Sequence, residues 1–339
     1  MNILTVFTGG TIGSKVVNNV IDLSTDNDYI VLKMVLEKYK DYKDINFICE
    51  EPIEYLSENL NYSQLNTIIK FLNSIDFSNY DGVIITHGSD TLSYTASYLG
   101  LLFSYINIPI VIVASDYPPN DIKSNAIINF KNAIDFIIDT RLKGVYVSYT
   151  NNKNNAIYIS TDIKEAEPYS DVFTAFSKFP LGYMQQSKFK MHIENNKTIK
   201  EIQENKAFKL KSEFSLTKNV LMINQYPNLD YNIYNINSDI SAVLICLYHS
   251  GTAPTNTQEN SSLISFIEKC QKNKINVFGT SFKNSKDIYA TTNQLLNKGL
   301  IPLYNMSNES AYAKLCIAYN QTDIEPIEYM KKVIFFESI

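Results

Sequence analysis

The chain has no tryptophan, only three histidines and four cysteines among 339 residues, and no surplus of positive charge. Each scarcity removes a class of function. His87, His192 and His249 are scattered, and no C-x-x-C or other metal-ligand spacing links Cys49, Cys246, Cys270 and Cys316. Neither a zinc site nor a disulfide framework is expected. Three of the four cysteines fall in apolar segments, where buried free thiols are the default, and this suits a reducing cytoplasm. With 30 basic against 35 acidic side chains and a formal net charge of −5, no basic excess exists to neutralise phosphates, so nucleic acid is not expected as a partner. No apolar run reaches membrane-spanning length, and the N-terminus enters a strand without a basic segment, apolar stretch and cleavage site. The expectation is a cytoplasmic protein with no membrane contact. The nucleotide-binding signatures are also missing. Gly9, Gly10 and Gly13 do not make G-x-G-x-x-G, and no Gly-Lys-Ser/Thr follows them.

What is present is an alternation of strand and helix patterns. A hydrophobic fraction of 45% over this length is enough for a large core and for two domains. Ile3–Thr8, Ile45–Cys49, Gly82–Ile85, Ile108–Val113, Gly144–Ser148 and Ala156–Ser160 read as strands. Tyr29–Leu36, Tyr62–Ile75, Leu92–Phe103 and Asp121–Ile138 read as helices, with Asn61 and Ser63 as the cap region of the second. Val16–Asn27 shows neither periodicity and reads as irregular. Alternation of this kind predicts parallel pairing with right-handed crossovers. The fold class is therefore α/β: a larger N-terminal domain, residues 1–190, with a mainly parallel sheet flanked by helices, and a smaller C-terminal α/β domain, residues 216–339. Residues 191–215, rich in Lys, Asn and Glu, read as the linker.

The chemistry concentrates where strands end. Ile3–Thr8 runs into Gly9-Gly10-Thr11-Ile12-Gly13, a turn whose adjacent glycines permit positive φ and close approach of a ligand to the backbone. Two further loops, Leu56-Ser57-Glu58-Asn59 and His87-Gly88-Ser89-Asp90-Thr91, also follow strands. In a parallel sheet all three face one crevice. Each carries a hydroxyl and two carry a carboxylate. Thr11 is thus a candidate nucleophile or ligand contact. A hydroxyl needs a base to become a nucleophile, and with so few histidines that base is a Lys, a Tyr or a carboxylate. Ser89 and Asp90 suit the head group of an amino acid, the carboxylate pairing with an ammonium while the hydroxyl and turn N–H groups take a carboxylate. His87 reads as a structural histidine beside the site.

Thr8-Gly9-Gly10-Thr11-Ile12-Gly13 and Ile85-Thr86-His87-Gly88-Ser89-Asp90-Thr91-Leu92 resemble the two signature motifs of the bacterial-type L-asparaginase family, in the manner of its cytoplasmic type I branch. Further matching segments, from Ser115-Asp116-Tyr117-Pro118 to Met306–Leu315, fall in the expected order across nearly the whole chain. The resemblance implies hydrolysis of L-asparagine, or L-glutamine, to the acid and ammonia without metal or cofactor. It implies Thr11 as the nucleophile that forms an acyl-enzyme, and Ser89, Asp90 and Lys164 as a second catalytic group in which Lys164 activates or orients the hydroxyl. It implies Asp90 and Glu58 at the substrate's amino group, Ser57 at its carboxylate, and backbone N–H groups near Ser89 and Ala114 at the oxyanion. It also implies a homodimer or homotetramer. The sequence departs from the family pattern in three places. Ser89 stands where Thr is usual. The stretch Asn18–Leu23 has no tyrosine where many members carry one, leaving open which group activates Thr11. Ser281-Phe282-Lys283 lacks the cysteine of an allosteric site.

Overall fold

The structure is a computed structural model and describes residues 1–17, 20–23, 29–195, 197–206, 208–282 and 284–338. The chain divides into two compact units, Met1–Lys209 and Leu210–Ile339.

The first unit is built on an eight-stranded sheet. In chain order its strands and a small flanking hairpin are β1 (Asn2–Val6), β2 (Ser14–Val17), β3 (Val20–Leu23), β4 (Asn46–Glu50), β5 (Gly82–Thr86), β6 (Pro109–Val113), β7 (Gly144–Asn151), β8 (Asn154–Ile159), β9 (Gly182–Gln185) and β10 (Lys188–Met191). The helices are α1 (Ile30–Lys38), α2 (Tyr62–Asn73), α3 (Leu92–Phe103), α4 (Ala126–Thr140) and α5 (Ile199–Glu204). The order across the large sheet is β10-β9-β8-β7-β6-β5-β1-β4. Strands β4, β1, β5, β6 and β7 pair in parallel. The buried strands β5 and β6, Gly82-Val-Ile-Ile-Thr86 and Pro109-Ile-Val-Ile-Val113, are near-continuous β-branched runs, as expected of strands covered on both faces. Strand β4, at the sheet edge, is only half-buried. The chain leaves β1 to pair with β4 on one side and returns through β5 on the other. The strand order therefore reverses at β1, and the carboxyl ends of β1 and β5 are where open α/β sheets of this kind place their ligand crevice.

Two helices position the crevice. Helix α2 buries Leu65, Ile68, Ile69 and Leu72, spaced for one face, and starts in a capping box of Asn61 and Gln64. Helix α3 has the predicted bounds, and all its residues except Tyr94 are buried. It is a core helix whose N-terminus opens directly onto the Ser89-Asp90-Thr91 loop.

The structure differs from the sequence reading at several places. Part of Val16–Asn27 forms an antiparallel hairpin, β2–β3, with Val16 opposite Ile21 and Val17 opposite Val20. A ladder of four residue pairs is too short for a period to be recognisable in the sequence. Residues 18–19 and 24–27 of that stretch lie outside the described residues. Strands β7 and β8 are antiparallel, not parallel. Only Asn152 and Lys153 separate them, both with positive φ, and such a connection makes a hairpin rather than a crossover. Helix α4 begins at Ala126, not Asp121. The Asp121 carboxylate accepts from Lys123 N at 2.8 Å and its carbonyl accepts from Ser124 N at 3.0 Å, which closes a turn instead. The segment expected to link the domains, residues 191–215, holds the end of β10 and the whole of α5, which is capped by Thr198 and Glu201.

The second unit has a four-stranded parallel sheet in the order β11 (Asn219–Asn224), β12 (Ile240–Cys246), β13 (Asn276–Phe282), β14 (Ile301–Tyr304). Helices α6 (Leu263–Lys272), α7 (Ala290–Asn297), α8 (Asn308–Asn320) and α9 (Pro326–Lys331) accompany it. Lys314 on α8 is fully buried. Its ammonium donates to Met330 O at 3.1 Å, to Lys332 O, and to Glu337 Oε1 at 2.8 Å. The Glu337 carboxylate also accepts from Ile334 N and Phe335 N. Cys246, Cys270 and Cys316 are buried and Cys49 is half-buried, all as free thiols.

Candidate active site

The loops after β1, β4 and β5 interlock through their backbones. Thr8 N donates to Thr86 Oγ1 at 3.2 Å, and Thr8 Oγ1 donates to Thr86 O at 2.6 Å. Tyr55 N donates to Thr8 O at 3.2 Å, and Gly10 N donates to Tyr55 O at 3.1 Å. Gly10 has φ +77, and a Cβ there would lie 2.3 Å from Gly88 N and 2.5 Å from Gly88 Cα. A Cβ on Gly88 would lie 2.3 Å from Ser57 Oγ. Glycine at both positions lets three segments meet at backbone distance.

This contact places most of the expected residues together. Thr11 opens a 3₁₀ turn, Thr11–Gly13, and is half-buried. Among the described residues its hydroxyl has no hydrogen-bond partner. Ser57 is buried, and its Oγ donates to Asp90 Oδ2 at 3.3 Å. Thr91 Oγ1 donates to Ser57 O at 2.9 Å. Ser89 is half-buried, while Asp90 and Glu58 are exposed. The N-terminus of α3 adds the positive end of a helix dipole, which favours a carboxylate. Ala114, buried at the end of β6, has its carbonyl held by Asn129 Nδ2 at 2.9 Å.

Lys164 is placed differently. It lies on the excursion after β8, where its backbone N–H donates to Thr174 O at 2.9 Å, and its side chain is exposed. Among the described residues no hydrogen bond or ion pair joins its ammonium to Ser89 or Asp90. The buried charge of this excursion is Asp162, which accepts from Ser177 N at 2.9 Å and from Ser177 Oγ. Burial raises its carboxyl above the ordinary value. Tyr29 sits at the N-cap of α1 with its ring stacked on Phe7 at 4.5 Å.

His87 is fully buried, as its structural reading requires. Its Nδ1 lies 2.7 Å from Gly88 O and its Nε2 lies 2.8 Å from the Tyr55 hydroxyl. Burial holds its pKa down to about 4, so the ring is neutral. Sequence reasoning missed Tyr55 and Asn129. Asn129 also accepts from Thr150 N at 2.8 Å through Oδ1. An Asn on the apolar face of a helix pattern was the only available signal, and Tyr55 gave none.

A larger α/β unit with its crevice at the reversal of a parallel sheet, and two glycine loops bringing a threonine beside a Ser-Asp pair, define a class that comparison with known proteins identifies. The family model "Asparaginase, N-terminal" matches residues 2–199, and the chain belongs to the asparaginase family. A glutamyl-tRNA(Gln) amidotransferase subunit of Methanococcus maripaludis strain C7 is 24% identical over 268 residues, covering 75% of this chain and 61% of that protein. L-asparaginase 1 of Escherichia coli K12 is 24% identical over 250 residues, covering 70% and 68%. The chain thus spans about three fifths of the length of the first of these relatives. Among solved structures, the thermostable L-asparaginase from Thermococcus kodakarensis superposes with a TM-score of 0.79 at 21% identity, covering 100% of this chain and 99% of that one. L-asparaginase I from Vibrio cholerae gives the same TM-score, identity and coverage. These likenesses show the fold.

Proposed function

We propose that the protein hydrolyses the side-chain amide of L-asparagine to L-aspartate and ammonia, with Thr11 as nucleophile. The observation that supports this reading is the close approach of Gly10 to Gly88, the residues that precede Thr11 and Ser89, together with the bond of Ser57 to Asp90. In the proposed reaction Thr11 Oγ attacks the amide carbon and the C–N bond breaks. The threonine proton leaves with the nitrogen as ammonia, and water cleaves the resulting ester. Asp90 and Glu58 receive the substrate ammonium. Ser57 and the N-terminus of α3 receive its carboxylate. Backbone N–H groups near Ser89 and Ala114 receive the oxyanion. Lys164, assigned by resemblance to the Ser89 hydroxyl, supports the reading least because its ammonium is exposed. No metal or cofactor enters this scheme. The free thiols suit a cytoplasmic location, and among the described residues no helix is long and apolar enough to cross a membrane. The family resemblance supports a homodimer or homotetramer, which light scattering tests.

Ammonia release from L-asparagine, L-glutamine and D-asparagine, by the parent and by Thr11→Ala, tests the reading. Release from L-asparagine that vanishes in Thr11→Ala supports it; equal release by both proteins sinks the nucleophile. The exposed Lys164 favours a second reading, an amino-acid-binding protein that kept the head-group contacts. L-aspartate binding without ammonia release from any amide would establish it. The match to the amidotransferase keeps glutamine among the substrates. One methylene separates it from asparagine, a difference worth only ~1–3 kcal/mol in a pocket.

A further inference from the structure

Tyr55 touches all three loops of the site, yet nothing in the proposed reaction uses it. Its backbone joins Thr8 and Gly10, and Ser57 follows two residues later. Its hydroxyl reaches His87 Nε2 at 2.8 Å, and the two rings meet edge to face at 5.8 Å. Both side chains are buried, at 6% and 0% exposure.

The bond polarity along this chain is determined. Gly88 O is an acceptor only, so Nδ1, 2.7 Å away, carries the proton. In a neutral imidazole Nε2 then has only a lone pair, and the Tyr55 hydroxyl is its donor. The relay runs from Tyr55 O–H to Nε2 and from Nδ1–H to the Gly88 carbonyl. That carbonyl is therefore turned into the protein. Across a planar trans peptide the C=O and the next N–H point in opposite directions. Turning Gly88 O inward turns the Ser89 N–H outward, to the crevice side. Among the described residues this N–H has no acceptor. An amide so aimed is what a developing oxyanion requires.

We propose that Tyr55 is a positioning residue that, through the Nδ1–H tautomer of His87, aims the Ser89 amide at the oxyanion of the reaction. This rests on the amidohydrolase reading. Tyr55 acts on the orientation of the donor, not on the head group of the substrate, so it governs kcat more than KM.

The test uses the full chain. Tyr55→Phe keeps the ring and removes the hydroxyl. His87→Gln keeps a donor and an acceptor, and His87→Leu keeps neither. Rates of ammonia release from L-asparagine give kcat and KM, and NMR of isotope-labelled protein gives the His87 ring nitrogens and the Ser89 amide resonance. The expected result is a kcat lower by roughly tenfold to a hundredfold in Tyr55→Phe with KM within about threefold, more activity in His87→Gln than in His87→Leu, and a displaced Ser89 amide. An unchanged kcat with an unchanged Ser89 amide overturns the inference. So does a loss expressed only in KM. If the parent releases no ammonia, the amidohydrolase reading fails separately. The Ser89 resonance then decides alone: displacement in Tyr55→Phe supports the positioning, and its absence overturns it.

Discussion

Two parts of the first unit carry the expected site residues, and they are held in different ways. The loops after β1, β4 and β5 lie at the ends of three neighbouring parallel strands and are locked by backbone contacts, Gly10 on Gly88 and Tyr55 on Thr8 and Gly10. The excursion after β8 leaves the sheet, is tied to itself by backbone bonds such as Lys164 N to Thr174 O and Phe176 N to Asp162 O, and is joined to the sheet through side chains. Asp162 takes Ser177, and Asn151 reaches Phe173 O at 2.7 Å. Thr11, Ser57, Ser89 and Asp90 belong to the first part, where Ser57 bonds Asp90 and Gly10 meets Gly88. Lys164 belongs to the second and is exposed. Strand adjacency places backbone to within a bond length, whereas an excursion places its residues only as well as its anchors do.

Five changes break or sharpen this contrast. The largest effect is expected of Thr11→Ala: a loss of roughly a thousandfold or more in ammonia release, with L-aspartate binding retained by calorimetry. Gly10→Ala attacks the backbone lock. It combines a positive φ with a Cβ 2.3 Å from Gly88 N, and the cost in urea unfolding should exceed the ~1–3 kcal/mol of a strained backbone alone, with activity lost. Acid acts on the same lock through His87. Its pKa is about 4 in the fold against an ordinary value of 6.5, so the unfolded chain binds the extra proton first. Stability is then full above pH 6.5 and falls as pH drops towards 4, by up to about 3 kcal/mol. His87→Gln should flatten that slope in urea unfolding measured across this range. In the excursion, Asp162→Ala takes away the acceptor of the Ser177 N–H, while the Ser177 hydroxyl keeps Phe179 O, and should cost roughly 1–3 kcal/mol, with faster amide exchange at Ser177 than in the parent. Lys164→Ala is expected to have the smallest effect, a change in kcat under about threefold. A tenfold loss would mean that the excursion closes onto Ser89 during turnover and that the contrast belongs to the resting protein alone.

Legibility in the sequence followed the same division. Strands β1, β4, β5 and β6, five residues each, could be read from their apolar content and helix α3 from its apolar length, and the loops after β1 and β5 carried the two signatures. Elements whose stability comes from a partner could not. The hairpin β2–β3 has four residues per strand, and α5 and α9 have six residues each, too short for a period to declare itself. At the site, the hydroxyl and carboxylate residues were legible from their loops. The Tyr55–His87–Gly88 relay was not, because a hydrogen bond across 32 residues leaves no local pattern. Asn129 looked like one polar residue in an apolar helix, although its amide bridges Ala114 and Thr150.

The buried pair in the second unit has a consequence for how that unit is made on the ribosome. Lys314 is enclosed by α8, α9 and the segment after it, and its countercharge arrives 23 residues later, at Glu337. A buried ammonium without its partner is strongly unfavourable. A nascent chain that has released α8 but not residue 337 therefore has every reason to keep α8 open. Protease resistance of the second unit in ribosome-arrested chains should accordingly appear only once Glu337 has left the exit tunnel.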